Sequence, residues 1–158
     1  MTMNEAVVTI DAAPEQVWEL VTDVTRMGEW SPENTGARWI GGATGGGPGD
    51  IKVVARFIGF NAHGWIRWPT RCRVVECEQP SRFAFTVAES AMTWGWRLDP
   101  DGTGTRLTQW RERTAQPNIA VRALTGSGIL GKDRETLMVD GMHRTLARVK
   151  AHAERTPV

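Results

Sequence analysis

The stretch Trp65-Ile66-Arg67-Trp68-Pro69-Thr70-Arg71-Cys72-Arg73-Val74-Val75-Glu76-Cys77-Glu78 decides how the rest of the chain is read. Successive side chains on a strand point to opposite faces. Trp68, Thr70, Cys72 and Val74 therefore share one face, and Arg67, Pro69, Arg71 and Arg73 the other. Three guanidinium groups on a core face would be very costly to bury. The Trp68 set is expected to face inward and the arginine row to face water. A long strand that is apolar on one side belongs to an antiparallel sheet with one solvated face. Such a row can meet anionic lipid or nucleic acid, but it is most often a plain solvated sheet face, since arginine is mostly exposed. The formal net charge of +1 adds no support for a polyanion, so no nucleic-acid partner is expected.

Working outward, Asn4 to Ile10 alternates as a strand. Pro14 opens a helix, where its missing N–H is harmless, and Val17, Leu20, Val21 and Val24 give it one apolar face to about Asp23. Thr25 to Trp30 reads as a second short helix, stopped by Ser31-Pro32. Ala37 to Ile40 is a short strand, and the glycine-rich run 41–49 is loop. Val53 to Phe60 is a strand, with Asn61-Ala62-His63-Gly64 as the hairpin turn. Beyond Glu78 come strands Phe83 to Val87 and Met92 to Leu98, a turn at Asp99 to Gly104, and a last strand from Thr105 to Thr114. Pro117 to Leu124 reads as a short helix. Ile129 to Glu154 reads as a long one, with Met138, Met142, Thr145, Leu146 and Val149 on one stripe. Strands and helices segregated in this order argue an α+β fold. The expected architecture is a curved antiparallel sheet of six to seven strands wrapped on a long C-terminal helix, with two short helices after the first strand.

The composition agrees with one globular domain: 158 residues, 41% hydrophobic and 23% charged. No apolar run is long enough to span a bilayer, so no stable membrane insertion is expected. The first residues do not resemble a secretion signal. Cys72 and Cys77 are five apart on one strand, which places them on opposite faces and too far apart to pair. Two unpaired cysteines suit a reduced, cytoplasmic setting. The chain has eight tryptophans and no tyrosine. Tryptophan brings large apolar area and one N–H donor, which serves a packed core or the wall of a cavity equally.

Parity assigns the candidate lining. Trp68, Thr70 and Cys72 form one inward set, Phe83 and Phe85 a second, and Trp94 and Trp96 a third, faced by Met138, Met142 and Leu146. Methionine suits surfaces that adapt to a ligand, and it also fills ordinary cores. Phe57 on the preceding strand and Trp30 near the expected mouth join the set. Gln109 shares parity with Leu107 and offers a polar contact. An enzyme acting in the same place would need a polar group pointing inward, Gln109 or Arg111 two residues further along the strand.

Acid–base chemistry calls for a buried histidine or carboxylate. His63 falls in a turn, His143 on the solvent side of the long helix, and His152 near its end. Glu29, Glu33, Glu89 and Glu112 read as solvated. No catalytic residue is assigned. Gly126-Ser127-Gly128-Ile129-Leu130-Gly131-Lys132 approaches a phosphate loop, but Asp133 stands where Ser or Thr would bind magnesium, and no strand precedes it. No His/Cys cluster has metal spacing. Neither cofactor nor metal is expected.

Several motifs carry a resemblance over nearly the whole chain. They include Ile10-Asp11-Ala12-Ala13-Pro14-Glu15-Gln16-Val17-Trp18, Met27-Gly28-Glu29-Trp30-Ser31-Pro32-Glu33 and Trp39-Ile40-Gly41-Gly42-Ala43-Thr44-Gly45. Ala55-Arg56-Phe57, Gly64-Trp65, Arg67-Trp68, Gly104-Thr105-Arg106-Leu107-Thr108 and Gly141-Met142 with Thr145-Leu146 complete them. The chain resembles the START/Bet v 1-like (SRPBCC) superfamily, in its bacterial polyketide cyclase/dehydrase-like branch. The resemblance implies a single helix-grip domain over 1–158, with a cavity between sheet and C-terminal helix. It implies binding of a hydrophobic small molecule such as a lipid, polyketide or isoprenoid. Alternatives are a polyketide cyclase/aromatase-like enzyme using the same cavity, or a chaperone-interacting module, which would need an exposed apolar patch. A monomer or a homodimer fits equally. The segment Gly46 to Val53 is about five residues longer than the family pattern.

Overall fold

The computed structural model describes residues 4–41, 53–113 and 132–155. The expected glycine-rich loop, the short helix at Pro117–Leu124 and the phosphate-loop-like stretch fall largely or wholly outside the described residues. Seven strands form one antiparallel sheet: β1 (Asn4–Ile10), β2 (Asn34–Gly41), β3 (Arg56–His63), β4 (Ile66–Glu78), β5 (Arg82–Val87), β6 (Met92–Asp101) and β7 (Gly104–Arg113). Their spatial order is β1-β7-β6-β5-β4-β3-β2. Helix α1 (Pro14–Thr22), a 3-10 turn (Val24–Arg26) and α2 (Met27–Trp30) follow β1, and the long helix α3 (Lys132–Arg155) closes the chain. This is the expected α+β helix-grip architecture.

Pro14 occupies the first turn of α1, as its missing donor allows. Val17, Trp18, Leu20 and Val21 recur at helical spacing and are all buried. Asp23 then ends the helix, its carboxylate accepting from the Thr25 N–H at 3.1 Å and so satisfying one open donor of the 3-10 turn. The stripe Met142, Thr145, Leu146, Val149 and Ala153 forms the buried face of α3. That helix packs on β1, β7, α1 and α2. Its C-terminal half is fastened by polar contacts that do not depend on burial. Lys150 Nζ donates to the Thr9 carbonyl at 2.7 Å, Gln16 Nε2 donates to the Ala153 carbonyl at 3.0 Å, and Glu154 accepts from the Asp11 N–H at 2.8 Å. Lys150 and the Asp11 N–H together hold the Glu154 carboxyl below its ordinary range.

The arginines of β4 do turn to solvent: Arg67, Arg71 and Arg73 are exposed, while Cys72 and Val74 are buried. The cysteines depart from expectation. A bulge between Val74 and Glu76 adds one residue to β4, so Cys77 pairs with Phe83 on the inner face rather than pointing outward. Both thiols are free. The hairpin turn also moves. β3 continues to His63 and the turn is Gly64-Trp65, with Gly64 at φ 63, a conformation that glycine adopts without strain. Trp65 is therefore a turn residue and not the first residue of β4. At the other end of β3, Val53 and Val54 are turn and the strand begins at Arg56. β2 is longer than expected, starting at Asn34, because pairing with β3 supplies hydrogen bonds that local composition does not announce. Similarly β6 runs through Pro100 to Asp101, leaving a turn of Gly102 and Thr103.

Candidate functional site

Register places the inner side chains of the sheet in three cross-strand rows. One runs Trp39, Phe57, Cys72, Val87, Met92. The next runs Val74, Phe85, Trp94, Arg111, Asn4, and the third Cys77, Phe83, Trp96, Gln109, Ala6. Adjacent rings touch edge to face: Trp39–Phe57 at 5.3 Å, Phe57–Phe85 at 5.1 Å and Trp18–Phe83 at 6.1 Å between centroids, with Phe83 tilted against Phe85 at 6.3 Å. Each such pair is worth about 0.5–1.5 kcal/mol beyond its buried area. Five rings from β2, β3, β5 and α1 thus make one continuous aromatic wall.

The wall changes character at β7. Gln109 and Arg111 both point inward, as their parity with Leu107 requires, and both are buried, at 9% and 6% exposure. Arg111 Nε donates to Asn4 Oδ1 at 2.7 Å, and the guanidinium lies over the Trp94 ring, 5.6 Å from its centroid. A neutral amide and an aromatic face orient the cation. Gln109 Oε1 is buried with no hydrogen-bond partner among the described residues. Two buried donors share that condition, Trp18 Nε1 and Trp30 Nε1. An unmet buried polar atom costs about 1–3 kcal/mol.

Of the sequence-derived candidates, Phe57, Cys72, Phe83, Phe85, Trp94, Trp96 and Gln109 come together on the inner face of the sheet, in the buried core that Met142 and Leu146 join from α3. Met138, one turn earlier, is half-buried. Trp68 and Thr70 lie further out, where β4 pairs only with β3; Asn61 Nδ2 donates to the Trp68 carbonyl at 3.3 Å and to Thr70 Oγ1 at 3.2 Å. Trp30 sits in the helical layer, its ring edge-on to His152 at 5.3 Å and its carbonyl accepting from Arg148 at 3.1 Å. His152 is accordingly half-buried inside α3 rather than at a frayed end. Arg26 lies 3.2 Å from His152 Nε2, 5.1 Å over the Trp30 ring, and is ion-paired to Glu29. Trp18 and Trp39 were absent from the candidate lining, and Arg111 entered only as a polar group of the enzyme reading. Trp18 was legible as part of the apolar face of α1, and Arg111 from parity alone.

The chemical inventory of the concave face is otherwise unreactive. Burial pushes the Cys72 thiol up to about 12, with a smaller opposing effect from Thr70. A protonated thiol is a poor nucleophile. Among the described residues no group of three or more His, Cys, Asp or Glu could hold a metal ion. His143 and His63 are exposed, the latter 3.5 Å from Glu33. A groove of about 260 Å³ opens mainly on the outer side of the sheet, lined by Glu76, Arg82, Trp96, Arg97, Trp110 and Glu112. Its charges balance, and of the inner rows only Trp96 borders it.

The family model for polyketide cyclase / dehydrase and lipid transport proteins matches residues 1–154. Among solved structures, TTHA0849 from Thermus thermophilus superposes with a TM-score of 0.67 at 19% identity, covering 94% of each chain. The polyketide-cyclase-like protein Cgl2372 from Corynebacterium glutamicum does so with 0.60 at 28% identity, over 93% of this chain and 88% of the other. The di-domain aromatase/cyclase BexL of the BE-7585A biosynthetic pathway gives 0.70 at 18% identity over 98% of this chain, which spans 50% of BexL. No curated protein sequence matches the chain. No helix among the described residues is long and apolar enough to cross a membrane. An inner face of stacked rings ending on a buried amide and guanidinium, carried by a seven-stranded helix-grip sheet, goes with a family-model match over residues 1–154: the chain belongs to the polyketide cyclase/dehydrase and lipid transport family.

Proposed function

We propose that the concave face between the sheet and α3 binds a largely hydrophobic small molecule carrying oxygen at one end. The observation that carries this reading is the composition of the three rows. All three carry rings, aliphatic side chains or a thiol up to β6, and two of them then meet Gln109 and Arg111 on β7. A ligand lying along a row would stack on rings over most of its length. Its polar end would meet an amide oxygen that lacks a partner and a guanidinium held in place by Asn4 and Trp94. Ligand sites combine a mostly apolar lining with a few placed polar groups in this way. Native mass spectrometry and organic extraction of freshly purified protein test it. A co-purifying apolar compound of defined mass supports the reading, and a titration of long-chain and polyketide-like compounds that yields no binder counts against it.

Conversion of the ligand at the same place is the second reading, and Arg111 with Gln109 is what favours it. Folding a poly-β-ketone chain for ring closure needs hydrogen bonds that fix carbonyl positions more than it needs a strong base. A guanidinium would stabilise a developing enolate oxygen. Incubation with a poly-β-ketone thioester mimic separates the readings: turnover lost in Arg111→Met, with binding of the apolar portion retained, belongs to the enzyme. Binding without turnover belongs to a carrier.

A further inference from the structure

We infer that the β3–β4 hairpin and the outer face of the sheet around it form a docking surface for an anionic lipid bilayer. The hairpin is uncovered on its β5 side, because residues 66–70 of β4 pair with β3 but not with β5, while β2 pairs with β3 up to Asn61. At its tip Trp65 is 89% exposed and Ile66 50%, and Phe60, 44% exposed, lies on the outer face opposite Pro69. Folding leaves these three large apolar side chains in water although the same chain buries Trp18 and Trp30 completely or nearly so. Tryptophan at an exposed tip suits the headgroup region of a bilayer, where its ring is buried and its N–H stays wet.

The outer face behind the tip is basic. Arg38, Arg56, Arg67, Arg71 and Arg73 lie on it, and register sets Arg56 directly opposite Arg73. Like charges opposed across two strands repel. Glu89 answers only Arg71, at 2.9 Å, and the other four make no ion pair among the described residues. Isoleucine and proline are interleaved with the arginines, Ile58 between Arg38 and Arg71, and Pro69 opposite Phe60. An anionic surface relieves the Arg56–Arg73 repulsion and buries the apolar tip in one contact. A nucleic acid would answer the charge but would leave the apolar Phe60 of that face without a role. The inference does not depend on what the concave face holds.

Co-sedimentation with vesicles of phosphatidylcholine, with and without about a third phosphatidylglycerol, tests it on the full chain. Binding is expected to the anionic vesicles and to fall as salt rises. Each arginine near such a surface changes affinity about fivefold, so R56E/R73E is expected to lower it at least ~25-fold. Trp65→Ala is expected to weaken binding several-fold with an unchanged circular dichroism spectrum, since its side chain contributes little to the fold. In Trp65→Phe, quenching of protein fluorescence by brominated phosphatidylcholine is expected to drop. Equal affinity of wild type and R56E/R73E, or of neutral and anionic vesicles, overturns the inference. So does tighter binding to a short DNA duplex that is indifferent to Trp65.

Discussion

Replacing Gln109 by leucine is expected to make the ligand-free protein more stable and the ligand-bound protein harder to form. Gln109 is 9% exposed and its Oε1 has no hydrogen-bond partner among the described residues. It stands in one row with Trp96, Phe83 and Ala6, so its surroundings on the sheet are apolar. An unmet buried acceptor costs about 1–3 kcal/mol. Leucine has nearly the same volume, removes that cost, and adds apolar area to the row. The amide oxygen has no hydrogen bond to lose. The expected gain is therefore about 1–3 kcal/mol in ligand-free protein. For a chain of this length that corresponds to a rise in Tm of about 2–4 °C per kcal/mol.

Urea unfolding followed by far-UV circular dichroism gives the stability, read from the midpoint at constant slope. Binding is measured in parallel by titrating the compound recovered from the wild-type protein. A hydrogen bond from a ligand hydroxyl to the amide is worth about 0.5–1.5 kcal/mol, so affinity is expected to fall about 2- to 13-fold while stability rises. Opposite signs are the signature of a group kept for function at a cost to the fold. A destabilised Gln109→Leu with unchanged affinity refutes the reasoning, because it means that ordered water or another group already satisfies the oxygen in the ligand-free state.

Phe83 is fully buried between Trp18 and Phe85, and Phe83→Ala is expected to cost about 3–5 kcal/mol by urea unfolding; a loss below about 1 kcal/mol would mean that the wall closes up around the gap. The Cys72 thiol, raised from 9.0 to about 12 by burial, is protonated in the folded protein where the unfolded chain would ionise. The folded state then holds more protons above about pH 9, so this contribution is complete below about pH 9 and is lost as pH climbs toward about 12, with a slope on the order of 1 kcal/mol per unit. Cys72→Ala is expected to flatten that alkaline decline in unfolding midpoint, and an unchanged slope contradicts the assignment. Gly95 lies beneath the Trp110 ring, which a Cβ there would overlap. Gly95→Ala is expected to lift the ring into solvent, cost about 1–3 kcal/mol and shift Trp fluorescence to the red; the shift is expected to be absent in a Trp110→Leu background.

Alternation carried much of the fold, and it failed where the backbone breaks its own period. β4 is the instructive case. Parity sorted arginine from tryptophan correctly up to Val74, and then one inserted residue reversed it, so that Cys77 came inside. Nothing in Val74-Val75-Glu76 marks a bulge, because valine and glutamate are ordinary strand residues. The hairpin turn failed for a related reason. Asn61-Ala62-His63-Gly64 has turn composition, yet cross-strand pairing of Asn61 with Trp68 and His63 with Ile66 continues the ladder past it. For the site, parity found Gln109 and the aromatic rows. It did not find Trp30 against His152, since their contact joins α2 to α3 from opposite ends of the chain and depends on how the helices dock.

The polar groups of the concave face are not scattered, and that bears on what the face is for. Gln109 and Arg111 sit on consecutive inward positions of β7, and their cross-strand partners inward on β1 are Ala6 and Asn4. A core selected for stability alone would place aliphatic residues at all four, because burying a guanidinium costs hydration worth several kcal/mol. The fold does not need the charge there to set register, since β1 and β7 pair over seven consecutive positions from Asn4 to Ile10. An oxygen anion or carbonyl of the proposed ligand would return part of the hydration lost by Arg111. On the proposed reading, Arg111→Met therefore leaves the urea midpoint within about 1–2 kcal/mol of wild type, while affinity for an oxygen-bearing ligand falls by at least ~10-fold. A loss of stability of about 3 kcal/mol or more, with affinity intact, would make the guanidinium part of the scaffold and leave Gln109 as the polar contact of the face.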